Sequence, residues 1–178
     1  MRRGGEAINM AEIVNAPTER AYRLASPVGV IADTHGLLRD EALALLDDCE
    51  LILHLGDVGS KEEDSVILER LATLAPVHCV RGNIDTAAWA STLPVHQNIV
   101  VNDRHLHLVH RLEDADPAID CDVVLHGHSH KPRNERQADR LLFNPGAAGK
   151  RRFKLPITLG KLWIDQGGVR GAIIHLPL

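Results

Sequence analysis

The sequence predicts an α/β fold in which two mixed β-sheets pack face to face with helices outside them. Three observations predict it. Over the first half of the chain, short and wholly apolar runs alternate with amphipathic stretches, the texture of buried parallel strands joined by helices. From about residue 95 the runs come in close pairs instead, which is how antiparallel hairpins read. At 178 residues and 44% hydrophobic composition, the chain has the size and content of one domain with a substantial core.

Residues 1–26 are polar, Ala-rich and weakly patterned up to Ser26-Pro27. They read as an extension with room for one short helix and with Met10 as an alternative start, preceding a domain over residues 27–178. Val28 to Asp33 is the first buried strand. Residues 39–48 carry Leu43, Leu45 and Leu46 among charges, an amphipathic helix. Leu51 to Leu55 is a second buried strand, closed by Gly56-Asp57. Residues 62–74 space Val66, Ile67, Leu68, Leu71 and Leu74 as a helix that Pro76 stops. Val77 to Val80 is a third strand, closed by Arg81-Gly82-Asn83. Strand, helix, strand, helix, strand is a parallel beginning, and such sheets gather ligands at the carboxyl ends of their strands. Val95–Val101 and His105–Val109 form a hairpin across Asn102-Asp103. Val123–Leu125, then residues 141–143, 156–165 and 168–175, complete the strands, the last two turning at Gly167-Gly168.

Aromatic residues make up only 3% of the chain, and the formal net charge is −4. Both argue against a general nucleic-acid binder, which needs stacking platforms and a basic surface. The charge is unevenly spread. Residues 28–75 hold eleven acids and three bases, a net −8, and residues 131–154 hold eight bases and two acids, a net +6. The basic strip is either a solvated loop or a guide for an anionic substrate. Cys49, Cys79 and Cys121 form no CxxC pair and border apolar runs, so they read as buried thiols in a reducing compartment. No apolar h-region follows Arg2-Arg3, and no segment is long and apolar enough to span a bilayer. The expectation is a cytoplasmic protein with no membrane partner, compatible with a homodimer.

Seven residues suited to divalent metals fall near segment ends: Asp33, His35, Asp57, Asn83, His110, His128 and His130. Asp33 and His35 are two apart, so on extended backbone their side chains leave on the same side, and His128 and His130 repeat that spacing. Imidazole and carboxylate donors suit Mn, Fe, Zn or Ni. Asp57 has two oxygens with which to bridge two ions, and Asn83 adds a neutral amide oxygen. Two divalent ions, two carboxylates and a bridging hydroxide leave a charge of +1, which attracts a phosphate and stabilises charge in its transition state. Each fragment alone is a weak signal, and their order along the chain is the strong one.

The blocks Asp33-Thr34-His35-Gly36, Gly56-Asp57, Gly82-Asn83-Ile84-Asp85, His110, Gly127-His128-Ser129-His130 and Asn144-Pro145-Gly146 resemble those of the calcineurin-like metallophosphoesterases. The resemblance is to the small bacterial and archaeal phosphodiesterase branch, which is also similar to the retromer scaffold subunit, and it runs from Val28 to Ile174. It implies a four-layer αββα sandwich. It also implies two divalent ions, manganese first with iron, nickel or zinc as alternatives. Asp33, His35, Asp57 and His130 would hold one ion; Asp57, Asn83, His110 and His128 would hold the other. His35, Asp57 and Asn83 then count as catalytic, in hydrolysis of a small phosphoester, a diester ahead of a monoester, by in-line attack of a metal-bridging hydroxide. The alternative implied by the same resemblance is a non-catalytic scaffold that binds a partner protein.

Three positions depart from the family pattern. Ile84 stands where larger members carry a histidine suited to protonating the leaving group, which favours diesters. Arg111 replaces the glycine after His110, where its guanidinium either meets a substrate phosphate or points to solvent. Ala147-Ala148 replace a common serine. His54, His78, His96, His105, His107 and His175 lie in strand-like runs and read as core or surface imidazoles. His126 directly precedes the metal motif and is a candidate to support it. Trp89 and Trp163 read as core or interface anchors.

Overall fold

The computed structural model describes residues 13–14 and 20–178. Its strands are β1 (Ile13–Val14), β2 (Arg20–Tyr22), β3 (Val28–Ile31), β4 (Leu51–His54), β5 (Val77–Cys79), β6 (His96–Val101), β7 (Arg104–Val109), β8 (Val123–Leu125), β9 (Arg133–Gln137), β10 (Arg140–Asn144), β11 (Thr158–Asp165) and β12 (Gly168–His175). The helices are α1 (Asp40–Leu45) and α2 (Val66–Ala72). One sheet runs β1-β5-β4-β3-β11-β12, parallel from β1 to β3 and antiparallel beyond; the other runs β2-β6-β7-β8-β10-β9. Both are mixed, as the sequence predicts.

Alternation along the strands builds two cores from the first sheet. Val28, Val30, Leu51, Leu53 and Leu162 face the second sheet and meet Ile99, Leu106, Leu108, Leu125 and Phe143 there. Ile31, Ile52, Val77 and Leu159 face the other way, onto Ala42 and Leu46 from α1 and its C-terminus and onto Ile67, Leu68 and Leu71 of α2. Phe143 is fully buried between the sheets, where truncation to Ala costs roughly 3–5 kcal/mol. The outer face of the second sheet is covered more thinly. Val109, Cys121, Val124 and Leu142 pack under Leu112, Ala115 and Ile119, which belong to a loop holding a single 3₁₀ turn, Leu112–Asp114. Among the described residues, this outer layer holds one 3₁₀ turn and no α-helix.

Several boundaries differ from the sequence reading for identifiable reasons. Residues 62–65 wind as a 3₁₀ turn before α2 begins. The expected extension contributes strands where it is described: β1 lies parallel to β5 and β2 parallel to β6, and no helix occurs in its described residues. β9 is a polar edge strand with mostly exposed side chains, and β2 is three residues long with only Tyr22 partly buried, so neither carries an apolar alternation to betray it. The final hairpin pairs Asp165 with Gly168, placing Gln166-Gly167 in the turn, one residue earlier than expected. The hairpin of β6 and β7 turns at Asn102-Asp103 as expected. Both residues have positive φ, 48° and 64°, as a type I′ turn requires. Asn102 also ties the sheets together, donating through Nδ2 to the carbonyls of Leu24 (2.9 Å) and Ile164 (2.6 Å).

Candidate metal centre

The sequence-predicted residues converge on one edge of the sandwich, where β3, β4 and β5 of one sheet and β7 and β8 of the other all end. The backbone itself draws the loops together. Past the last paired residues of β3 and β4, Asp33 N–H donates to the Gly56 carbonyl (3.0 Å), His35 N–H to Asp57 (3.0 Å) and Gly36 N–H to Val58 (2.8 Å). The loops carrying Asp33-His35 and Asp57 thus run side by side as an extension of the sheet. Gly127 N–H donates to the His110 carbonyl (2.9 Å) and joins the two loops of the second sheet in the same way.

Two glycines make the approach possible. A Cβ on Gly82 would lie 2.1 Å from the Asp57 nitrogen and 2.2 Å from its Oδ1. Gly56 has φ +92°, and a Cβ there would sit 2.7 Å from His110 Nδ1. Five of the seven metal-suited residues adopt the left-handed conformation themselves: Asp33, His35, Asp57, His128 and His130, with φ between 47° and 69°. Each such residue costs on the order of 1 kcal/mol, and strain of this kind concentrates where side chains are aimed for function.

Two donor groups result. Asp33, His35 and His130 form one, and Asp57, His110 and His128 the other, each with ligand atoms within 4.8 Å of one another. In the first, Asp33 Oδ1 lies 3.8 Å from His35 Nε2 and 3.6 Å from His130 Nε2. In the second, Asn83 Oδ1 contacts His110 Nε2 at 2.9 Å and His128 Nδ1 at 3.0 Å. Asp57 faces both, with Oδ2 3.4 Å from His35 Nε2 and Oδ1 3.3 Å from His110 Nε2. Atoms bound to one ion at 2.0–2.2 Å stand roughly 3–3.6 Å apart, close to these separations. Asp33 Oδ1 and His35 Nε2 are moreover buried with no hydrogen-bond partner among the described residues. A buried carboxylate oxygen facing an unpartnered imidazole nitrogen is what a cation would satisfy, and the donor set fits a pair of divalent ions.

The electrostatics follow from this packing. Burial alone would raise the Asp57 carboxyl, but the hydrogen bond and charge of His110, the Ile84 N–H (3.0 Å) and the charge of His35 outweigh it and hold it at about 2. Burial would lower His110, yet its bond to Asp57 raises it. His130 is lowered by burial. His110 Nδ1 meets the Leu55 carbonyl at 2.7 Å; a carbonyl only accepts, so Nδ1 carries the proton and Nε2 is turned to the centre.

Residues whose supporting roles sequence reasoning missed lie one step back. Asp85 accepts the backbone N–H groups of Asp57 (2.9 Å), Gly59 (3.1 Å) and Gly82 (2.7 Å), clamping two loops at once. Asn144 donates to the Gly127 carbonyl (3.0 Å) and to Ser129 Oγ (3.1 Å), fixing the loop of His128 and His130. Thr34 Oγ1 donates to Val58 and contacts His54 Nε2. The signal for Asp85 and Asn144 was only their place in the motif blocks. Arg111 is half-buried at the start of the 3₁₀ turn, and its side chain makes no hydrogen bond or ion pair among the described residues. Of the remaining histidines, His54, His78 and His107 are buried, and His96, His105 and His175 are exposed.

Comparison with known proteins supports the same reading of the architecture. Residues 27–167 match the model of the calcineurin-like phosphoesterase superfamily domain. A probable metallophosphoesterase of Methanothermobacter thermautotrophicus is 35% identical over 135 residues, covering 67% of this chain and 76% of that protein. Among solved structures, an archaeal phosphodiesterase superposes with a TM-score of 0.67 at 23% identity, over 83% of this chain and 99% of the other. Wild-type Vps29 of Entamoeba histolytica, solved with Zn²⁺, gives 0.62 at 20% identity, over 84% and 99%. Both structural likenesses are of fold.

Proposed function

Because the chain belongs to the calcineurin-like phosphoesterase superfamily, we propose that it is a dinuclear metal-dependent phosphoesterase acting on phosphodiesters. The observation that carries this reading is Asp57, whose two carboxylate oxygens face the two donor groups from between them. Asp33, His35 and His130 would hold one divalent ion, Asn83, His110 and His128 the other, and Asp57 both. Such a pair, when bound, supplies Lewis acidity at phosphorus and a water deprotonated at neutral pH, with manganese the first choice of metal.

The chain's own residues do the rest. Asp57, held at about 2, stays ionised throughout the neutral range and keeps one negative charge between the groups. The Ile84 N–H fixes Asp57 Oδ1, while the Ile84 side chain offers no proton to a leaving group. A departing alkoxide therefore has no acid at this position, which disfavours demanding monoesters and supports a diester substrate. Arg111, next to His110 and without a side-chain partner among the described residues, is a candidate to meet a substrate phosphate.

The test is hydrolysis of bis(4-nitrophenyl) phosphate by protein stripped with chelator and reloaded with Mn²⁺. Turnover dependent on added metal is the expected result. Folded protein that stays inactive with Mn²⁺, Fe²⁺, Ni²⁺ and Zn²⁺ would overturn the reading and leave the scaffold alternative in its place.

A further inference from the structure

Next to His128 lies a hollow of about 390 Å³ whose walls include Leu112, Glu113, Ser129 and Arg133. It lies at the small end of the roughly 300–1,000 Å³ typical of small-molecule sites. His126 lines it and is itself only 5% exposed. Its Nδ1 edge is turned to Asn144 Nδ2, 3.4 Å away, and its Nε2 is buried without any hydrogen-bond partner among the described residues. Nothing in the metal chemistry uses this nitrogen. Ser129 Oγ, on the same wall, accepts from Asn144 and from the Lys131 N–H and keeps its own proton to donate.

We propose that this hollow receives the alcohol half of the phosphodiester, and that His126 Nε2 selects substrates whose alcohol carries a hydroxyl or ring nitrogen, such as a glyceryl or nucleoside group. The inference rests on the phosphoesterase reading above. A phosphate seated between the donor groups lies beside His128, and the hollow shares that residue, so a substituent on phosphorus has a walled space to enter. An alkyl ester leaves this nitrogen as unpaired as it is in the free protein, whereas a hydroxylated alcohol that reaches it supplies the missing partner. Sites that bury a polar group in this way discriminate strongly against substrates lacking the partner.

The test compares three diesters that share a 4-nitrophenyl leaving group and differ in the second ester: methyl, glyceryl and thymidine 5′-yl. His126→Leu is expected to lower kcat/KM for the glyceryl or the thymidyl ester about tenfold, mainly through KM, and to leave the methyl ester unchanged. His126→Gln, which returns a polar atom near Nε2, should recover most of the loss. Which ester responds identifies the alcohol class. Equal loss on all three esters would show that His126 only supports the His128 loop and would overturn the inference, as would no loss on any. If the wild-type protein hydrolyses none of them, the phosphoesterase reading fails separately. The hollow is then judged by NMR titration of glycerol and thymidine into chelator-treated protein, where shifts of the His126 ring signals lost in His126→Leu support it and their absence overturns it.

Discussion

The two donor groups on either side of Asp57 solve the same problem differently. Asp33 and His130 are buried, and Asp33 Oδ1 stands 3.6 and 3.8 Å from the two imidazole nitrogens of its group with no hydrogen bond among them. Asn83 and His128 in the other group are exposed, and its atoms close on one another, His110 and His128 both contacting Asn83 Oδ1. The first group is dry and leaves Asp33 Oδ1 and His35 Nε2 without a partner among the described residues; the second is open to water and gathers around Asn83 Oδ1. The difference teaches that one preformed, dehydrated half and one adaptable half can share a single carboxylate. Should both groups hold metal as proposed, the first would be the tighter site and the second the more exchangeable.

The sharpest way to break this comparison is at the shared residue. Asp57→Asn is expected to lower kcat/KM on the order of a thousandfold and to reduce bound metal at both positions. Loss of one equivalent alone, measured by elemental analysis, would show that Asp57 serves a single group. Asp85→Ala comes next: it strands three buried N–H groups and should cost about 3 kcal/mol of stability, read from urea unfolding. Because those donors belong to the Asp57 and Gly82-Asn83 loops, metal binding should suffer more at the second position than at the first. Calorimetric titration of Mn²⁺ into stripped protein should show two unequal steps. Asn83→Ala is expected to weaken the second about 10–100-fold and spare the first; equal steps in the wild type would remove the distinction.

The smallest effect is a pH slope. His54 lies beneath both loops, contacting Thr34 Oγ1 and the Gly56 N–H, and burial pushes it down to about 3. Folded protein therefore keeps it neutral while unfolded chain protonates it near 6.5, so its contribution is present above pH 6.5 and lost as pH falls towards 3. The slope is up to ~1.4 kcal/mol per pH unit. Urea midpoints of stripped protein at pH 7 and pH 5 should converge in His54→Asn, and an unchanged difference would contradict the assignment.

Much of the centre could be read in the chain because a parallel sheet converts sequence order into spatial convergence. Once Val28, Leu51 and Val77 open buried strands, Asp33, Asp57 and Asn83 must emerge at one edge. The clamps could not be read this way. Asp85 works through three backbone donors whose proximity exists only after β4 and β5 pair, and Asn144 holds a loop 17 residues earlier in the chain. β9 was hidden because an exposed edge strand is held by its neighbour's backbone and not by its own side chains. His126 was legible only as a candidate to support the metal motif it precedes; that one of its nitrogens is buried without a partner among the described residues exists only in the packing.

The left-handed backbone at Asp33, His35, Asp57, His128 and His130 has a consequence for how this fold ages. Glycine would relax each of these five positions at no cost in space, so replacing any of them by glycine removes a donor and a strain together. A chain in which these donors are lost to glycine is expected to gain thermal stability. Unfolding midpoints of His35→Gly and His128→Gly above that of the stripped wild-type protein would show that the chemistry here is retained against the preference of the backbone.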